Sequence, residues 1–414
     1  MLFKKTKKLD YDLIIHIGEG KTGSSAIQKY LNHNSENLLN RGIFYPKHFV
    51  DSNNISSGHG IIYDALIAGD FELAGNNLQN LLHESKDKGC TLLLSSEHFQ
   101  NFHNFFEDFC KKNSINIKVV CFIRDMVGRL NSNYNQSIKR HSCSYSLSIA
   151  IDKGEMVDCL ESRENIPLNW LKSFNKDTVF IPYMPNNFKE GIENYFLQVI
   201  GVKGFKKEKK PKVNRSYSAS ALLFKRELNK FITEQFGTPI TVETDIALQK
   251  FSETYIDDVK FDAFSELTLD EINDLEKKIE QIELGFLKKI SSNLISPAAF
   301  THKIEQKKPF MISRKYSFEF IVNNFLYREH PGLLIELKNT IIKSNQELIN
   351  ANIYTLELAK AFGCNLSTLR MNPINNFDVE HHNDMYPGIK SDGVNSYEHF
   401  IKFGLKEGKY NFDL

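Results

Sequence analysis

The sequence predicts an α/β protein, with a parallel sheet flanked by helices and then a mostly helical C-terminal appendage. Three observations predict it. Short apolar or β-branched runs recur at Leu13–Ile17, Thr91–Leu94, Val119–Ile123 and Thr178–Tyr183, as expected of strands buried on both faces. Longer amphipathic segments such as Ser25–Asn32 and Leu73–Lys86 separate them. A glycine-rich turn follows the first run directly and opens into such a segment. Strand and helix in repetition imply right-handed crossovers, with ligands at the carboxyl ends of the strands.

The first run ends in Gly18-Glu-Gly-Lys-Thr-Gly-Ser-Ser25 before the amphipathic segment begins. Glycines let backbone curl round a phosphate, and amides opening a helix point at the anion. Lys21 adds a mobile positive charge, and Ser24 and Ser25 add hydroxyl donors. The sheet is therefore P-loop-like. An ATP-type loop would need glycine five positions before Gly20, where this chain has Ile15. The shortened loop points away from a metal-assisted kinase, and no metal is expected.

The run HIGEGKTGSSAIQKYL resembles the 5′-phosphosulfate loop of sulfotransferases that use 3′-phosphoadenosine 5′-phosphosulfate (PAPS). Gln28 and Gly42-Ile-Phe-Tyr45-Pro46 resemble the bacterial carbohydrate branch of that family. The resemblance implies that Lys21 meets the 5′-phosphate and the bridging oxygen of the leaving group. It places Thr22, Gly23, Ser24 and Ser25 around the same phosphate. A second motif agrees: the run Val119–Ile123 ends at Arg124, and Ser132 follows eight residues later, resembling the family's 3′-phosphate site. Arg124 offers a bidentate fork to a terminal phosphate, or an ordinary ion pair to Asp125. Ser132, Gln136 and Arg140 share one helical face, so Gln136 is a candidate substrate contact.

Between the two motifs lies Thr91-Leu-Leu-Leu-Ser-Ser-Glu97-His98. In the family this resembles, the residue after such a strand is the catalytic base, histidine in some branches and glutamate in others. Only one of the neighbours can point inward if the strand conformation persists, and the Ser-Ser-Glu pattern favours Glu97 over His98. His59, in Ser57-Gly-His-Gly60, is a third candidate and a possible substrate-binding residue, since glycine-flanked loops carry function.

Further along, Trp170 reads as core packing, and Asn214-Arg215-Ser216 resembles a later landmark of the family. From about Tyr217 the character turns helical. Thr268-Leu-Asp-Glu271 is a capping box, followed by an apolar stripe at Ile272, Leu275, Ile279, Ile282, Phe286 and Ile290. Expected domains are 11–295 for the sulfotransferase part, a helical region over 296–376, and a small module over 377–414. The last resembles one appended to bacterial polysaccharide-synthesis glycosyltransferases, through Tyr386-Pro387, Gly393, Glu398-His-Phe400 and Phe403-Gly404-x-x-Glu407-Gly408. The pair His381-His382 beside Glu380 and Asp384 matches no metal-site spacing.

Composition sets the outer limits. Apolar residues are 41% and charged residues 25% of 414, an ordinary globular balance. The net charge of +1 leaves no global field for nucleic acid, so any anion site is local. The six cysteines form no CxxC pair and read as reduced core thiols. No run approaches the roughly 18 apolar residues of a membrane span, and a cytoplasmic location is expected. The expected function is PAPS-dependent transfer of a sulfuryl group to a hydroxyl of a glycan or other small hydroxyl acceptor. The alternatives are a kinase-like transferase with a degenerate loop, or a non-catalytic glycan-assembly protein.

Overall fold

The computed structural model describes residues 8–20, 22–48, 58–154, 156–184, 188–202, 217–236, 241–296, 300, 303–307, 310–312, 314–335, 358–363, 386 and 399. Lys21, the Asn214-Arg215-Ser216 run, the His381-His382 pair and the C-terminal module other than Tyr386 and His399 lie outside them. Among the described residues no helix is long and apolar enough to cross a membrane. The chain divides into two compact units. The first is Met1–Ser132, Met156–Val213 and Asp274–Ile304; the second is Asn133–Glu155, Asn214–Asn273 and Glu305–Leu414.

The first unit is built on a five-stranded, wholly parallel sheet: β1 (Leu13–Gly18), β2 (Ile43–Phe44), β3 (Thr91–Ser95), β4 (Ile117–Ile123) and β5 (Thr178–Pro182), in the order β2-β3-β1-β4-β5. Its helices are α1 (Ser24–His33), α2 (Ser35–Leu39), α3 (Gly60–Ile67), α4 (Phe71–Asp87), α5 (His103–Asn113), the start of α6 (Met126–Arg140), α8 (Val157–Phe174) and α9 (Ile192–Val199). The period of two sorts the side chains of each strand. Leu13, Ile15 and Ile17 join Leu92, Leu94, Val119, Phe106 and Trp170 in one core. Ile14 joins Leu93, Val120, Phe122, Ile27, Leu31 and Phe196 in the other. Trp170 is buried and donates to the Gln100 carbonyl at 2.8 Å, which satisfies its one polar atom. Four of the cysteines, Cys90, Cys110, Cys121 and Cys143, are buried thiols.

Each of the four strands expected from the sequence is present, shifted by one or two residues at its ends. After β3 the chain passes to the other side of β1 to add β4 and β5, so the strand order reverses at β1. A doubly wound sheet opens its ligand crevice at that reversal, over the carboxyl ends.

The second unit is helical: α7 (Leu147–Asp152), α10 (Ala219–Phe236), α11 (Val242–Tyr255), the start of α12 (Leu269–Ile290), and α13 (Phe318–Ile321) leading through a π-turn into α14 (Tyr327–Glu329). Its core is unusually polar. Buried Arg226 forks onto Glu266 at 2.6 and 2.9 Å and donates to the Tyr134 hydroxyl at 2.9 Å. Tyr217 donates to the Asp245 carboxylate at 2.9 Å, and Asp245 is also paired with Arg140. These contacts join 133–155 to 217–273 within the second unit.

Candidate active site

Gly23 caps α1 in the left-handed region, at φ +83°, and supplies no side-chain acceptor. The amides that open the helix thus have no side-chain cap. The positive φ is what calls for glycine here, and a Cβ would also come within 3.0 Å of Ile192 Cδ1. The buried Thr22 hydroxyl donates to the Glu19 carbonyl at 2.6 Å and secures the turn. Ser25 is half-buried in the first turn of α1.

Ser24 reaches sideways: its Oγ donates to Glu97 Oε2 at 3.0 Å. Here the strand conformation assumed after Leu94 does not persist. Ser95 closes β3, Ser96 caps a 3-10 turn over Glu97–Asn101 by accepting from the His98 amide at 3.2 Å, and the two candidate bases diverge. Glu97 faces α1. His98 instead stacks on Tyr63, with ring centroids 4.4 Å apart.

Arg124 follows β4 directly. Its backbone amide donates to Glu19 Oε2 at 2.8 Å, which ties the loop to the end of the neighbouring strand. Its guanidinium lies 5.7 Å from the Tyr183 ring and 4.0 Å from Asp125 Oδ2. Asp125 has a second duty, accepting from the Gly128 amide at 2.6 Å as the cap of α6. A Cβ at Gly128 would meet Arg124 Nε at 2.6 Å and a terminal nitrogen at 2.9 Å. Glycine there makes room for the fork. Ser132 stands one turn further along the same face of α6, half-buried. Gln136, a turn beyond, belongs to the second unit.

His59 is deeply buried and its ring is committed to backbone. Nδ1 accepts from the Ser95 amide at 3.1 Å, and Nε2 lies 3.1 Å from the Pro46 carbonyl, to which it donates. Burial lowers its pKa to about 3, so the ring is neutral. It supports the end of β3 with no nitrogen left for a substrate.

Sequence reasoning missed Glu19 and His16. Buried Glu19 accepts from the Arg124 amide at 2.8 Å and lies 3.9 Å from an Arg129 nitrogen, so a carboxylate sits inside the glycine loop. An acid amid the loop glycines was the available signal. For His16 the signal was a lone polar residue inside a fully apolar strand.

No family model matches the chain, and no curated protein matches it. Among solved structures, it aligns with one described as a sulfotransferase from Alicyclobacillus acidocaldarius. The identity is 14% and the TM-score 0.30, over 58% of this chain and 94% of that one.

Proposed function

We propose that the chain is a PAPS-dependent sulfotransferase acting on a hydroxyl of a carbohydrate. One observation carries the reading. Glu97, the uncapped start of α1 and Arg124 stand at the carboxyl ends of three adjacent parallel strands, and the Ser24–Glu97 hydrogen bond joins the first two. Two candidate anion sites of different construction thus stand in a row with one carboxylate, the loop in the middle. The residues present fit the donor: the left-handed Gly23 leaves amides for a 5′-phosphate, and Gly128 clears the fork of Arg124 for a 3′-phosphate.

PAPS supplies the sulfuryl group and departs as 3′-phosphoadenosine 5′-phosphate (PAP). Lys21 and the amides of Gly23, Ser24 and Ser25 hold the 5′-phosphate and stabilise charge building on the bridging oxygen. Arg124 and Ser132 hold the 3′-phosphate and so fix the distance from loop to acceptor. Glu97 takes the proton of the acceptor hydroxyl, and Ser24 keeps its carboxylate turned toward the loop. His98, stacked on Tyr63, walls the acceptor side and is the alternative base. The carbohydrate part of the reading rests on the resemblance of residues 377–410 to modules of polysaccharide-synthesis proteins.

PAP should raise the melting temperature equally with and without EDTA, since a ligand bound only by the folded state stabilises it by mass action. A response to ATP that exceeds PAP and vanishes with EDTA would reject this function in favour of a kinase.

A further inference from the structure

Beneath the loop lies a buried hydrogen-bonded pair that the proposed transfer leaves unused. His16, in β1, is 1% exposed and wedged against Phe122 and Phe196, at centroid distances of 5.5 and 4.9 Å. Its Nδ1 lies 2.7 Å from Ser95 Oγ. At the inner end, His16 Nε2 is buried and has no hydrogen-bond partner. It lies 3.9 Å from where a Cβ on Gly18 would stand, under the first glycine of the loop.

Counting protons leaves this pair two registers. The Ser95 hydroxyl has one to donate. Burial lowers the pKa of His16 to about 3, so the ring is neutral and carries a single N–H. In the inward register Ser95 donates to Nδ1 of His16. The proton of His16 then sits on Nε2, beneath the loop. In the outward register Nδ1–H donates to Ser95 and Nε2 presents a bare lone pair. Only the inward register offers something to an anion, and it leaves a buried donor unmet until one arrives.

We propose that His16 Nε2–H is a further donor to the anion held by the Gly18–Ser25 loop, and that binding locks the His16–Ser95 pair in its inward register. The inference rests on the reading of that loop as a phosphate site. Amides from the loop and the opening of α1 would surround the anion from one side, and the imidazole would meet it from the strand below.

Full-length protein with 15N-labelled histidine, observed by long-range 1H–15N correlation with and without PAP, tests this directly. In the complex, His16 should show the Nε2–H pattern, and its Nε2 resonance should move on binding. His16→Phe keeps a ring in the apolar slot without a donor and should weaken PAP about tenfold, the equivalent of one hydrogen bond. His16→Gln returns an N–H near the Nε2 position and should recover most of that loss. A His16 signal unmoved by PAP, with equal affinity in His16→Phe, overturns the inference and leaves the loop reading standing. Wild-type protein that does not bind PAP overturns both. Should His16→Phe fail to fold, the wild-type spectra decide alone.

Discussion

Glu97 and His98 are adjacent in the chain and keep different company, one bonded to Ser24 at the phosphate loop and the other stacked on Tyr63. Glu97→Gln keeps shape but removes the proton acceptor, so turnover should fall about 10²–10⁴-fold with PAP affinity nearly unchanged. His98→Asn should lose less, as single-turnover and equilibrium-binding measurements would show; the reverse ranking would transfer the role of base to His98. The buried histidines make a separate prediction about pH. His16 and His59 have pKa values lowered to about 3 by burial, against 6.5 when exposed. Below pH 6.5 the unfolded chain takes up protons that the native rings refuse. Their stabilisation is therefore whole above that pH and is lost as pH falls toward 3, at no more than about 1.4 kcal/mol per pH unit for each ring. His59→Asn, whose amide oxygen can still accept from the Ser95 amide, should shrink the difference between urea midpoints at about pH 4.5 and about pH 7.5. At this scale the sequence was legible where a charge interrupts an apolar pattern, as at Arg124 and Glu97. It was not legible for His59, because the Ser95 and Pro46 groups that claim its ring are 36 and 13 residues away.

Elements tell a similar story through their ends. The capping box at Thr268 is formed as read, with Glu271 Oε2 accepting from the Thr268 amide at 2.7 Å and the Glu271 amide donating to Thr268 Oγ1 at 3.3 Å. Strand β2 escaped the reading, since two residues have no periodicity and exist as strand only by pairing Ile43 with Thr91 and Phe44 with Leu92. Helix α6 was legible as a carrier of Ser132, yet its Gly128 drew no notice. Alanine favours a helix over glycine by about 0.8–1.0 kcal/mol, and its Cβ would press on the side chains of Arg124 and Asp125, not on backbone. Gly128→Ala should therefore hold or raise the melting temperature while weakening PAP several-fold. Adenosine 5′-phosphosulfate, which lacks the 3′-phosphate, should bind the variant and wild type alike. Equal losses for both ligands in calorimetric titration would remove Arg124 from the 3′-phosphate site.

For the whole molecule, the division into units follows contacts that run far along the chain, and such contacts leave no local mark in a sequence. The apolar stripe of α12 was visible, but not that Phe286 and Ile290 would be lent to the sheet. They are fully buried with Leu13, Val119 and Trp170, while Ile295 donates its amide to the Phe180 carbonyl beside β5 at 3.1 Å. Every described strand is complete by Pro182, yet the core on one face of the sheet is completed by Phe286 and Ile290, beyond Asp274. A fragment of residues 1–213 should consequently lack a cooperative thermal transition by circular dichroism, and adding residues 274–304 as a separate peptide should restore part of it. During synthesis the same arrangement imposes a wait. At about 5–20 residues per second, a ribosome that has made the last strand needs on the order of ten seconds to deliver Phe286 and Ile290. Throughout that interval the nascent sheet keeps the part of its apolar face that Phe286 and Ile290 will fill uncovered, and holding chaperones would find it there.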